Sequence, residues 1–157
     1  MTIVVSSLNA NTRLLLSYLG VSRSGVARRD LQQLLTLSES DMEIIEVSAR
    51  LLLTDHDGLL DLRNPATRRA VLDTCLADES TISKLHTDLA ELFESRWRDN
   101  DRNALNDLPH HLRCSRAWSK LITLLTDVDF IQMKSAAGMK AALVQDYREA
   151  VAAWSRR

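Results

Sequence analysis

A chain of 157 residues carrying 20 Lys and Arg against 21 Asp and Glu, a formal net charge of −1, has no global basic field for nucleic acid or an anionic membrane. Hydrophobic residues make up 45% and only four Gly and two Pro interrupt them, a balance that excludes a disordered tail and points to a helical globular protein. No stretch approaches the roughly 18 to 20 apolar residues of a membrane span, and "MTIVVSSLNANTRLLLSYLG" lacks the basic and apolar regions of a secretory leader, so a cytoplasmic protein is expected.

From Leu8 to about Gly20, Leu14, Leu15, Tyr18 and Leu19 fit one helical face, with Gly20 as a stop. Ser24 and Gly25 make a turn, and Val26, Leu31, Leu34 and Leu35 mark a second short helix. Ser38 or Ser40 caps a third, "ESDMEIIEVSARLLL", whose Met42, Ile45, Val47 and Ala49 are expected inside and whose first-turn acids complement the helix dipole. In "LLLTDHDGLLDLR" two apolar runs flank Asp57-Gly58, a dipeptide suited to the positive φ angles of a tight hairpin. Three short helices followed by a two-stranded hairpin is the order of a winged helix, here residues 8–77. After Asn64-Pro65 a fourth helix resumes, Asn capping and Pro in the first turn.

The β signal ends there. Ile82, Leu85, Leu89, Leu92 and Phe93 recur at helical spacing behind a cap at Asp78 or Ser80, and polar "RDNDRN" breaks the pattern. Further helices are expected over about Ala104 to Cys114, from Ala117 through Thr126 to Met133, and over Met139 to Trp154. Residues 78–157 therefore read as an antiparallel helical bundle, with a solenoid-like start as a reasonable form. The fold class expected is mostly α, with one β-hairpin.

Several phrases, in order, resemble one family. "SRSGVARRDLQQLL" and "LDLRNPATRRAV" are similar to the winged helix of STAND-class signalling ATPases of NACHT and NB-ARC type, C-terminal to their ATPase core. "KLHTDLAELFESR" resembles the helix that follows, and "ALNDLPHHLRCSRAWSKLITLLTDVDFIQMKSAAG" resembles a phrase of NACHT proteins with TPR or WD repeats. The resemblance covers about residues 12–150. It implies a non-catalytic regulatory and interaction module that packs on a P-loop nucleotide-binding domain and relays conformational change to repeat sensor domains, in cis or in trans. Any ADP or ATP is then met only through that partner, and neither nucleic acid nor membrane is a partner. In the family a histidine near the wing-to-helix junction reaches the nucleotide; Asn64 stands there in this chain, making it a possible nucleotide-sensor position without a charge. Arg63, Arg68 and Arg69 lie nearby, either touching phosphate or forming a solvated partner-facing helix surface.

Other chemistry has less to stand on. Nothing reads G-x-x-x-x-G-K-S/T, so the chain alone is not expected to hydrolyse ATP, and no G-x-S-x-G elbow suggests a nucleophile. Cys75 and Cys114 are too few for a disulfide framework and read as reduced thiols. In "LPHHLRC", His110 and Cys114 share a helix face at ligand spacing, but His56 and His86 are read as lacking ligand-like neighbours. An incomplete ligand set favours packing over metal, with His111 a hydrogen-bonded core histidine. DNA binding through the third helix meets Glu39, Asp41, Glu43 and Glu46 against Arg50 alone. Trp118 and Phe130 are expected in the core; Trp97 and Trp154, beside arginines, are expected partly exposed and partner-facing. The alternatives are a free-standing helical adaptor and, behind it, a winged-helix nucleic-acid binder.

Overall fold

The computed structural model describes residues 8–76 and 78–155. The first seven residues, Ala77 at the expected domain junction, and Arg156 and Arg157 beside Trp154 lie outside the described residues. The chain is mostly helical with a small three-stranded antiparallel sheet, and it divides into two compact units that part between Leu85 and His86. No helix among the described residues is long and apolar enough to cross a membrane.

The first unit begins with α1, Ala10–Val21, where Asn9 caps through its side chain on the Thr12 amide. Leu15, Leu16, Tyr18 and Leu19 are buried, whereas Leu14, expected on the same face, is 41% exposed. A strand not foreseen, β1 (Val26–Ala27), follows at once, so Val26 belongs to the sheet and helix α2 starts at Arg28, running to Leu35. Gly25 makes that possible: its φ is +86°, and a Cβ there would stand 2.6 Å from the Leu60 carbonyl oxygen.

Helix α3, Glu39–Ala49, opens with a capping box in which Ser38 accepts from the Asp41 amide and Asp41 from the Ser38 amide. Met42, Ile45 and Ala49 are buried, but Val47 is 70% exposed, correcting its expected inward placement. Two residues past Ile45 is a rotation of about 200°, the opposite face of the helix.

Strands β2 (Leu53–His56) and β3 (Leu59–Leu62) form the expected hairpin with Leu53 opposite Leu62 and His56 opposite Leu59. Asp57 and Gly58 carry φ of 55° and 82°, as a two-residue turn of this hand requires. Strand β1 pairs with the other edge of β3, giving the order β1-β3-β2. Helix α4, Pro65–Cys75, is capped by Asn64, and α1 packs on α4, β3, α2 and α3. Helix α5, Glu79–Glu94, begins behind Asp78, whose carboxylate accepts from the Ser80 and Thr81 amides.

In the second unit α5 ends in a 3-10 turn, Trp97–Asp99, and Asn100 in the left-handed region reverses the chain. Asp101 then caps α6, Arg102–Cys114, on the Asn103 and Ala104 amides. Helix α6 touches the next three: α7 (Trp118–Thr126), α8 (Val128–Ala136) and α9 (Lys140–Trp154). The expected continuous helix through Met133 breaks at Asp127, which ends α7 and caps α8 by accepting from the Asp129 and Phe130 amides. The core runs through Leu89, Phe93, Leu105, Leu108, Leu121 and Phe130. It also encloses an ion pair, Lys134 to Asp146 at 2.5 Å, with side chains 0% and 1% exposed.

Candidate functional site

The residues singled out at the hairpin-to-helix junction have structural work in the first unit. Asn64 Oδ1 accepts from the Thr67 amide at 2.9 Å and from the Thr67 hydroxyl at 3.1 Å, satisfying a donor that an unadorned helix start leaves open. Arg68 is not on a solvated face. Its Nη1 donates to the carbonyls of Leu19, Gly20 and Ser22 at 2.7 to 2.9 Å, and its Nη2 meets Asp61 Oδ1 at 2.5 Å. Those carbonyls close the C-terminal end of α1, whose last oxygens have no intrahelical donors, so one planar guanidinium ties α1, β3 and α4 together. Arg63 is exposed, its Nη2 donating to the Arg50 and Leu53 carbonyls at 3.3 and 3.4 Å, and Arg69 is exposed on α4.

On α3, two of the four acids that argue against DNA, Glu39 and Glu46, engage α2. Arg28 pairs with Glu39 at 2.5 Å and Glu46 at 2.6 Å. The Gln32 amide and then the Arg28 guanidinium hold the Glu39 carboxyl below its usual range, and Glu46 foremost raises Arg28.

In the second unit the two partner-facing tryptophans part company. Trp154 is 51% exposed, but Trp97 is only 4% exposed, correcting the expectation for it. The 3-10 turn drives Trp97 edge-on into Phe130, centroids 5.4 Å apart, while the Arg98 guanidinium covers its ring from 4.1 Å. Trp118, expected in the core, is half-buried and meets Trp154 edge-on at 5.9 Å. These two rings, with Leu121, Ile122, Leu125 and Val151, line an apolar groove between α7 and α9.

"LPHHLRC" lies on α6, and the structure joins to it a residue that the sequence keeps distant. His86, near the middle of α5, is buried and packs on both histidines of the motif, its ring 5.5 Å from His110 and 5.1 Å from His111 between centroids. The reading of His86 as lacking ligand-like neighbours is thereby overturned: ligand atoms of His86, His110 and Cys114 all lie within 4.8 Å of one another. Cys114 Sγ is 3.9 Å from His110 Nδ1 and 4.0 Å from Nε2, as the i, i+4 spacing allows. His111 faces inward, fully buried beside Phe93, and shares a 2.8 Å hydrogen bond between its Nδ1 and that of His86. Burial first, then the charges of His110 and Arg113, bring the His86 imidazole down to about 4, so it is neutral at pH 7. Burial likewise raises the Cys114 thiol, with Arg113 opposing and Glu149 adding to the rise. His56, at the end of β2 in the other unit, is exposed and takes no part.

No family model, no curated protein and no solved structure matches this chain.

Proposed function

We propose that this chain is a non-catalytic regulatory and interaction module of a STAND-type, NACHT-like signalling NTPase. Its first unit is read as a winged helix that packs on a P-loop nucleotide-binding core, and its second as the helical region that passes conformational change on to repeat sensor domains. The observation that carries this reading is the topology of residues 10–75. Helix, strand, two helices and a hairpin, with strand order β1-β3-β2, supports reading this unit as a winged helix. It falls on the same phrases, "SRSGVARRDLQQLL" and "LDLRNPATRRAV", that resemble the family.

Two local features support the assignment. Glu39 and Glu46 of α3 pair with Arg28, Glu39 also accepting from Gln32, and a helix bearing Glu39, Asp41, Glu43 and Glu46 repels phosphate, which argues for a protein partner over DNA. Asn64 Oδ1 caps α4 and its side chain carries no charge, which fits a reading in which nucleotide is met through the partner's core. The apolar groove at Trp118 and Trp154 is the place for the first helix of the sensor repeats, an amphipathic helix laid in a groove. That same groove favours a free-standing helical adaptor as the second reading.

Recovery of partners on the immobilised chain from its own cell extract, identified by mass spectrometry, separates the two. A P-loop NTPase among the specifically retained proteins supports the regulatory module. Its absence, with other proteins retained through a Trp154-dependent contact, favours the adaptor.

A further inference from the structure

We propose that His86, His110 and Cys114 form a Zn²⁺-binding site within the second unit. The proposal does not depend on the nucleotide reading. Two imidazoles and a thiolate are the donors Zn²⁺ prefers, and their ligand atoms already stand within 4.8 Å of one another. Around a tetrahedral Zn²⁺ with Zn–N near 2.1 Å and Zn–S near 2.3 Å, neighbouring donors are about 3.4 to 3.7 Å apart. The His110 to Cys114 separation of 3.9 to 4.0 Å is close to that, and the third donor, from His86, stands within 4.8 Å of both.

The surroundings fit a metal ligand set. Metal-bound histidines characteristically give their second ring nitrogen to a hydrogen-bond partner that fixes tautomer and orientation. His86 has such a partner, the buried His111, through the 2.8 Å Nδ1 contact. When His86 is the donor in that bond, the lone pair of its Nε2 is free for the ion. His110 and Cys114 are half-buried, giving the ion a way in from solvent.

One group opposes a cation. Arg113 Nη2 lies 3.4 Å from His110 Nδ1, but it also pairs with Glu149 at 3.1 Å, and that carboxylate can hold it when the ion takes the imidazole. With three protein ligands the fourth position goes to solvent or an exchangeable ligand, the pattern of an open rather than a closed site.

The test is titration of the reduced 157-residue chain with Co²⁺ as an optical probe, followed by competition with Zn²⁺. Stoichiometric binding should appear, with a thiolate-to-cobalt charge-transfer band and strong four-coordinate d–d bands, all removed by Zn²⁺. C114S should abolish the charge-transfer band and weaken binding at least about tenfold. H110N tests the site at a half-buried position should C114S misfold by circular dichroism, and it should weaken binding likewise. C75S, altering the other thiol in the first unit, should bind as wild type. Absence of saturable binding, a charge-transfer band lost in C75S, or undiminished binding in H110N would overturn the proposal.

Discussion

Single residues decide where this chain turns, and they differ in how well they tolerate change. Gly25 pairs a positive φ with a backbone oxygen 2.6 Å from where a methyl group would sit. G25A should therefore cost about 1–3 kcal/mol in urea unfolding, through backbone strain and displacement of β3. G58A, whose added methyl meets nothing within 4 Å, should cost less, because only the backbone term remains. Asp78 gives a pH signature. The hydroxyls of Ser80 and Thr81, then their amides, lower its carboxyl to about 2 from 3.8. A folded value below the unfolded one means a contribution fully present above about pH 3.8 and lost as pH falls towards 2. Thermal melts of wild type and D78A should thus differ at neutral pH and converge over that window. Local signals such as the Asp57-Gly58 turn, the Asn64 cap and the Ser38 cap were legible because each acts within four residues. The partnership of His86 with His110 and Cys114 was not, since it depends on how α5 packs against α6 rather than on spacing in the chain.

At the scale of elements, buried charge joins helices that apolar patterning alone would leave to slide. Lys134 on α8 and Asp146 on α9 meet at 2.5 Å with almost no exposure. Removing one partner strands the other charge, so K134M or D146L alone should destabilise by about 3–5 kcal/mol, whereas the double substitution should recover most of that loss. Chemical denaturation of the four proteins in this cycle tests it; a double variant as damaged as the sum of the singles would refute the pairing account. Arg68 plays a comparable part in the first unit by closing the end of α1 against α4 and β3. Its role escaped a sequence reading because an arginine on a helix gives no sign that three carbonyls await it some 46 to 49 residues earlier. Helical spacing identified most core positions, yet it placed Val26 in a helix because a two-residue strand is too short to show alternation. The neighbouring arginines pointed to an exposed Trp97, but the 3-10 turn buries this ring and one of them, Arg98, covers it.

For the whole molecule, the order of elements was more legible than any site. A near-neutral chain with few glycines, one hairpin and helices elsewhere became two compact units, a helix-rich one around a small sheet and an all-helical one. The regulatory reading holds that the nucleotide state of a P-loop core governs how this module is held, so binding energy must differ between states. The most direct measurement is the amount of that P-loop protein retained by the immobilised chain in ADP compared with a non-hydrolysable ATP analogue. Retention at least about fivefold greater in ADP, corresponding to roughly 1 kcal/mol of coupling, is the predicted result. Equal retention in both nucleotides, or none in either, would contradict it.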